Sequence, residues 1–118
     1  MKIISKKIKA EKEDYYYKHL SIINNLLPTT LSNKEIQVLS LFLSEDKNLI
    51  QEDMFNTLVR KRVMKKIGIS DASLSNYLRT MIGKGFLTRN NITNKITVKD
   101  FLIPEDKVQG YQIQLISE

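Results

Sequence analysis

The chain has 118 residues, 42% of them hydrophobic, which is enough for one core and excludes a second independent domain. It contains no cysteine, so a disulfide framework and thiolate chemistry are excluded. The formal net charge of +6 favours an anionic partner such as nucleic acid, although basicity of this size also occurs in proteins that bind none.

The N-terminal residues carry isoleucine and lysine in a loose alternation. No apolar run in the chain is long enough for a transmembrane helix, and MKIISKKIKA is too interrupted by lysine to form a signal-peptide core. We therefore expect a cytoplasmic protein with no membrane partner. Residues 2–9 leave two interpretations open, a short strand or a disordered basic arm. Such an arm can reach a DNA groove, but a solvated, frayed terminus is the commoner outcome.

Residues 12–27 are predicted to form a helix, because two adjoining apolar stripes recur at helical spacing before Pro28. The stripes are Tyr16, Leu20, Ile23 and Leu27, and Tyr15, His19, Ile22 and Leu26. A helix on the protein surface usually buries one apolar stripe, so two adjoining stripes require contact with protein on a wider face. We expect this helix either to pack on the next helix of the same chain or to form a homodimer with its twin. A dimer would also duplicate any binding surface that the chain carries, and this favours the second arrangement.

A second helix is predicted over residues 33–44, because Ser32 and Glu35 form the S-x-x-E pattern of a capping box. Its apolar residues cover most of the circumference: Ile36, Val38, Leu39, Leu41, Phe42 and Leu43. Such a helix must be covered on more than one side, and the helix at 12–27 laid across its back would supply that cover. Residues 45–52 are polar and are predicted to end the helix.

The next predicted helix, residues 53–67, carries the densest charge cluster in the chain. Its inner face is Phe55, Leu58, Val59, Val63 and Ile67. Its polar face holds Arg60, Lys61, Arg62, Lys65 and Lys66, five basic residues within seven positions. A run of charged residues is usually only a solvated helix face. This cluster indicates a binding surface only because it lies beside the next helix of the chain.

Gly68 breaks that helix, and Ser70 offers a capping oxygen to another helix that ends at the Gly83-Lys84-Gly85 breaker. Leu74, Leu78 and Met81 recur at helical spacing on its buried face. Asp71 lies in its first turn, where a carboxylate complements the helix dipole. The sequence therefore predicts two helices, residues 53–67 and 71–83, joined by a turn of about three residues.

The stretch RKRVMKKIGISDASLSNYLR, residues 60–79, closely resembles a helix-turn-helix motif. Gly68 is the turn glycine, Ile69 the apolar residue after it and Leu74 the buried position of the second helix. Met64 departs from the pattern, because a small residue usually stands four positions before the turn glycine, and we expect a slightly wider helix crossing. Any two amphipathic helices joined by a glycine turn would give a similar pattern, so the motif alone is weak evidence.

A predicted hairpin comes directly after this motif, with strands at residues 86–89 and 96–99 and a polar turn at 90–95. Winged helix-turn-helix domains end in this way, and the chain from about residue 31 to residue 116 resembles that family of DNA-binding proteins. The resemblance implies a mainly helical α+β fold. Residues 31–118 would form the winged helix-turn-helix domain as a single globular unit, and residues 1–30 an arm and an added helix packed on its core.

The period-2 pattern of residues 110–115 predicts a last strand that extends the hairpin sheet. Tyr111, Ile113 and Leu115 would face inward. The smallest winged helices end earlier, so this strand departs from their pattern.

The outward face of the second motif helix has the side chains expected of a recognition helix. The base-contact candidates are Ser73, Asn76, Arg79 and Thr80. Arginine suits guanine O6 and N7, asparagine suits adenine N6 and N7, and the hydroxyls serve bases or phosphates. An ordinary solvated helix face would have the same composition.

Basic residues beside the recognition helix are the phosphate-contact candidates, because the preceding helix and the hairpin would flank the major groove. They are Arg60, Lys61, Lys65 and Lys66 on the helix and Arg89, Lys95 and Lys99 on the hairpin.

The resemblance implies sequence-specific binding of double-stranded DNA, by a small transcription regulator or a phage or plasmid accessory factor. The alternative is a winged helix used as a protein-interaction or structural subunit with no specific DNA site. We expect no enzyme activity, cofactor, metal or small-molecule effector. The only histidine, His19, lies on an apolar helix face with no second ligand, and there is no glycine-rich phosphate loop or catalytic constellation.

Overall fold

The computed structural model describes all of residues 1–118 as five α-helices followed by a two-stranded antiparallel sheet and a short 3-10 helix. The helices are α1 (Lys12–Asn24), α2 (Asn33–Leu43), α3 (Lys47–Ile50), α4 (Thr57–Ile67) and α5 (Asp71–Gly83). The strands are β1 (Leu87–Arg89) and β2 (Ile96–Val98), and the 3-10 helix is Asp100–Leu102. The predicted α+β, mainly helical class is confirmed. None of the helices combines the length and apolar composition needed to cross a bilayer.

Side-chain caps determine where the helices begin. The predicted capping box is present, because Glu35 N donates to Ser32 Oγ at 3.1 Å and Ser32 N donates to Glu35 Oε1 at 2.8 Å. Asn56 and Ser70 cap α4 and α5, each accepting a hydrogen bond from the backbone N–H three residues further on. Loss of such a cap typically costs about 1 kcal/mol. The starts of α2, α4 and α5 therefore follow from local chemistry.

Helix α2 lies at the centre of the fold and contacts α1, α4 and α5. Its side chains Val38, Leu39 and Phe42 are fully buried, and the Phe42 ring packs on Phe55 with a centroid separation of 4.6 Å. Each such side chain stabilises the fold by roughly 1.5–3 kcal/mol when it leaves water. The prediction that α2 is covered on more than one side is confirmed.

Helix α1 packs on α2 within one chain. Leu20 is 0% exposed and Ile23 is 8% exposed in the single chain. The side chain of Asn24 also ties the end of α1 to the segment before α2, since Leu31 N donates to its Oδ1 at 2.6 Å and its Nδ2 donates to Leu31 O at 3.1 Å. The intramolecular arrangement therefore accounts for the stripe that contains Leu20 and Ile23, whereas in the second stripe His19 is buried and Leu26 is exposed. The homodimer through residues 12–27 loses the physical reason that suggested it.

Several predicted boundaries are wrong by a few residues. Helix α4 begins at Thr57 rather than at residue 53, because the Asp53 carboxylate accepts a hydrogen bond from Phe55 N at 3.0 Å and holds a turn before the Asn56 cap. Residues 45–52 are not only a polar break but contain the one-turn helix α3, which the Asp46 side chain caps. Helix α1 ends at Asn24 rather than at residue 27.

The predicted last strand is wrong, because residues 110–115 form no strand and the sheet has only β1 and β2. Leu115 is 100% exposed and Ile113 is 74% exposed, so these side chains do not face inward. After β2 the 3-10 helix turns the chain towards α1, where Tyr111 meets His19. An alternating pattern becomes a strand only where a neighbouring strand supplies hydrogen bonds. Residues 1–10 are likewise irregular and mostly exposed, so the strand interpretation of the N-terminal arm is wrong.

Candidate nucleic-acid interface

The connection between α4 and α5 consists of residues 68–70, as predicted. Gly68 has φ +66°, a left-handed conformation that glycine adopts without steric cost. A left-handed glycine commonly ends a helix, and here Gly68 N and Ile69 N both donate to the Met64 carbonyl oxygen. The Ile69 N to Met64 O distance is 3.1 Å. Ser70 then caps α5. This turn brings the end of α4 next to the start of α5.

Helix α5 has one buried and one exposed face. Leu74, Leu78 and Met81 are buried in the core, as their spacing predicted. Three of the four base-contact candidates, Asn76, Arg79 and Thr80, are exposed. The fourth, Ser73, is half-buried and belongs to the helix cap, because its backbone N–H donates to Ser70 Oγ at 3.1 Å and its own Oγ accepts from the Ser70 hydroxyl at 3.1 Å. The exposed face of α5 is therefore narrower than the sequence indicated.

The three exposed candidates are linked to one another by hydrogen bonds. Arg79 Nη1 donates to Asn76 Oδ1 at 3.2 Å, and the Thr80 hydroxyl donates to the Asn76 backbone carbonyl at 2.9 Å. The Thr80 hydroxyl proton is thus held by its own helix, and Asn76 and Arg79 form the polar centre of the exposed face.

The side chain of Arg60 is not free for DNA, because it links α4 to α5. Its Nη2 donates to Ser75 Oγ at 3.0 Å and lies 3.4 Å from Asp71 Oδ1. The guanidinium is partly buried, so a phosphate contact would have to replace these partners. The role of Ser75 was missed, because its only sequence signal is a position beside the buried Leu74 on the helix wheel.

A buried carboxylate forms ion pairs with two further members of the basic cluster. The Glu45 side chain is 2% exposed, and its oxygens lie 3.1 Å from Arg62 Nη2 and 3.4 Å from Lys66 Nζ. Burial alone would raise the pKa of the Glu45 carboxyl, but the hydrogen bonds from Arg62 and from Asp46 N–H, together with the nearby positive charges, hold that pKa below its usual value. Glu45 was missed because it opens a segment that the sequence presented only as polar.

Lys61 and Lys65 are exposed and form no ion pair within the protein. The same holds for the hairpin candidates Arg89, Lys95 and Lys99. These five side chains are therefore the phosphate-contact candidates whose charge is uncompensated.

The two strands of the hairpin are anchored in the core and carry its basic residues. Leu87 and Ile96 are buried, and Arg89 pairs with Ile96 across the antiparallel register. At the tip, Asn90 Oδ1 accepts hydrogen bonds from Ile92 N at 2.8 Å and Thr93 N at 3.1 Å. Arg89 and Arg60 line the same cleft between the hairpin and α4, together with Asp53. The structure thus brings these two phosphate-contact candidates together.

The end of α5 is tied to α2 by a partly buried ion pair that sequence reasoning missed. Lys84 Nζ lies 2.6 Å from Glu35 Oε1 and also donates to Thr30 O at 3.1 Å. The Glu35 side chain, which is part of the α2 capping box, is almost fully buried. The sequence pattern indicates Lys84 only as part of the breaker after α5. This pair helps to fix the direction in which the exposed face of α5 points.

Comparisons of the chain with protein-family models, with curated proteins and with solved structures found no match. Its function must therefore be inferred from the geometry of this chain. That geometry defines a small helical domain whose fifth helix presents a polar face, while exposed and unpaired basic side chains lie on α4 and on the hairpin. No group of three or more histidine, aspartate or glutamate side chains is arranged to hold a metal ion.

Proposed function

We propose that this protein is a winged helix-turn-helix DNA-binding protein that places α5 in the major groove of a duplex site. It would act by occupying that site, as a small transcription regulator or a phage or plasmid accessory factor. The observation that carries the proposal is the exposed polar face of α5, where Asn76 and Arg79 stand opposite the buried Leu74 and Leu78.

The shape of α5 supports this proposal. A helix with its side chains is about 10–12 Å across, and the major groove of B-DNA is about 12 Å wide. Helix α5 has 13 residues and is attached to the core by one face, so its other face is free to enter a groove. Asn76 and Arg79 have the amide and guanidinium groups that read base edges.

The unpaired cations on α4 and on the hairpin, the elements before and after α5 in the chain, support contacts with phosphates. Lys61 and Lys65 lie on α4, and the hairpin contributes Arg89, Lys95 and Lys99. Arg60 and Lys66 are weaker candidates than the sequence indicated, since each is already paired with a carboxylate at 3.4 Å. The proposal therefore assigns phosphate contacts first to the five unpaired cations.

The proposal is tested by the anisotropy of a labelled duplex titrated with the protein at 50, 100 and 200 mM salt. Five phosphate contacts give a slope of about −4.5 for log affinity against log salt, so a fourfold rise in salt lowers affinity about 500-fold. No binding at 50 mM salt contradicts DNA binding, and an affinity that does not depend on salt contradicts the proposed phosphate contacts.

A second candidate function, a winged helix that binds protein, is favoured by a different observation. Large apolar side chains are exposed on the C-terminal segment, among them Ile113, Leu115 and Ile116, and three basic residues of α4 already form ion pairs with the two carboxylates of Asp71 and Glu45. No duplex binding at low salt, together with a stoichiometric complex with a protein partner, would favour this function over the first.

A further inference from the structure

A groove lies where the two ends of the chain meet α1. It has a volume of about 410 Å³, which is within the range of protein sites that hold small molecules. Its lining comes from three segments: the N-terminal arm, residues 1–10; the helix α1; and residues 109–111. These segments are far apart in the sequence, since His19 and Tyr111 both line the groove and are 92 residues apart. No local pattern in the sequence indicates such a site.

Hydrogen bonds hold the C-terminal side of the groove against α1. Tyr111 donates its hydroxyl proton to His19 Nδ1 at 2.6 Å, and the two rings stack with their centroids 5.7 Å apart. The other ring nitrogen of His19 donates to the Leu102 carbonyl oxygen at 3.1 Å. The Tyr15 hydroxyl donates to the Glu105 carbonyl oxygen at 2.7 Å. The protons of these three side chains are therefore used within the protein and are not available to a ligand.

The side chains that line the groove carry positive charge. Lys6 and Lys18 are exposed, and neither forms an ion pair within the protein. Burial lowers the pKa of His19 below its ordinary value near 6.5, so its ring is neutral at pH 7. No carboxylate lines the groove. The two lysines therefore determine its charge.

The carboxylates near the groove leave this charge uncompensated. Asp14 lies one turn before Lys18 on α1, but it does not line the groove and forms no ion pair. An adjoining groove, which shares Tyr15 with the first, contains one carboxylate, Asp106, and two lysines. The groove therefore favours an anionic ligand.

Much of the remaining lining is apolar. Ile3, Ile4 and Ile8 of the arm are exposed, and Ile22 of α1 is half-buried. Apolar side chains gathered at one place on a surface mark a binding site, whereas scattered ones do not. A ligand that covers these isoleucines must itself have an apolar body.

We propose that this groove binds a small apolar carboxylate, with its hydrocarbon body on the isoleucines and its carboxylate at Lys6 and Lys18. An ammonium group and a carboxylate form charge-assisted hydrogen bonds, and each lysine has three donors for them. A cationic ligand finds no carboxylate in this lining, and a sugar leaves the isoleucines uncovered. The inference goes beyond DNA binding and does not depend on it.

The test is an NMR titration of the isotope-labelled full chain with octanoate. Backbone amide signals of the arm, of α1 and of residues 109–111 should shift in a saturable way. Octan-1-ol has the same hydrocarbon chain without the charge, and it should bind more weakly because it forms no ion pair. Binding should tighten from hexanoate to octanoate by up to about fourfold for each added methylene.

Replacement of both lysines tests the position of the carboxylate. Lys6→Gln and Lys18→Gln together should weaken octanoate binding about threefold to tenfold and leave octan-1-ol binding unchanged. Lys34→Gln together with Lys61→Gln is the matched control. It removes the same charge from exposed lysines that do not line the groove, and it should change the binding of neither compound.

Four results would overturn the proposal. They are no saturable shift up to about 5 mM octanoate, shifts confined to residues outside the groove, equal affinity for octanoate and octan-1-ol, and equal weakening of octanoate binding by the two double variants. All four lysines are exposed, so the variants should keep the unfolding temperature of the parent, which thermal denaturation checks. None of these results bears on duplex binding, which is measured separately.

Discussion

The hydroxyl of Tyr111 lies 2.6 Å from Nδ1 of His19, while Nε2 of the same ring lies 3.1 Å from the carbonyl oxygen of Leu102. A carbonyl can only accept, so Nε2 carries the proton and Nδ1 accepts from Tyr111. The ring is buried, and it attaches both the 3-10 helix and the C-terminal segment to α1. Tyr15 adds a second attachment by donating to Glu105 O at 2.7 Å.

The burial of His19 predicts that the free energy of unfolding decreases as the pH falls below about 6.5. Burial lowers the pKa of His19 below its ordinary value near 6.5, and the hydrogen bond to Leu102 opposes this only in part. The unfolded chain therefore binds the proton first, so the stabilisation is present above about pH 6.5 and is lost as the pH falls towards the lowered value.

Urea denaturation at pH 5.5, 6.5 and 7.5 measures this effect. Each unit by which the pKa is lowered corresponds to about 1.4 kcal/mol at the acid end of the range. His19 is the only histidine, so His19→Gln should remove most of the pH dependence across this range. A variant that keeps the parent's pH profile would contradict the assignment.

Glu45 predicts a charge effect on duplex binding. Glu45→Gln keeps the shape of the side chain but removes the negative charge that faces Arg62 and Lys66. With those two cations released, duplex affinity at low salt should rise and the salt slope should steepen by up to about 2. Anisotropy titrations measure both quantities.

Glu52→Gln is the matched control for Glu45→Gln, since Glu52 is exposed and lies in no ion pair. It changes the net charge by the same amount without freeing a cation. If the two variants steepen the salt slope equally, the effect comes from net charge. The assignment of Glu45 as the partner that withholds Arg62 and Lys66 from DNA is then wrong.

Removal of Lys61 or Lys65 should have the opposite effect on duplex affinity and on the salt slope. Each of Lys61→Ala and Lys65→Ala should weaken binding to all duplexes alike and reduce the magnitude of the salt slope by about 0.9. Lys18→Ala, an exposed lysine on α1, serves as the control and should leave the slope unchanged. A loss confined to one preferred sequence would instead make these lysines base contacts.

Local patterns in the sequence sufficed to predict much of this fold. The capping box of Ser32 and Glu35, the left-handed turn at Gly68 and the buried stripe of α5 each depend on residues within about one or two turns of one another. Such features follow from capping chemistry and helical periodicity alone. They placed α2 and α5 within a residue of their observed bounds.

The features that could not be predicted join residues far apart in the chain. Lys66 and Glu45 are 21 residues apart, Lys84 and Glu35 are 49 apart, and His19 and Tyr111 are 92 apart. No periodicity encodes such pairs. The first pair removed Lys66 from the free cations of the candidate interface, and the last shows where the expected final strand goes instead.

The packing of α1 on α2 gives the last prediction. Leu20→Ala and Ile23→Ala each remove a side chain that is buried within one chain, so each should lower the free energy of unfolding by about 2–5 kcal/mol. Light scattering should give the mass of a monomer for the parent and for both variants at tens of micromolar. Ser21→Ala, on the same helix, is the control and should change stability little, because its hydroxyl bonds only to Tyr17 O. A parent that is a dimer, and that dissociates to folded monomers with weaker duplex binding when Leu20 or Ile23 is truncated, would instead establish the homodimer through residues 12–27.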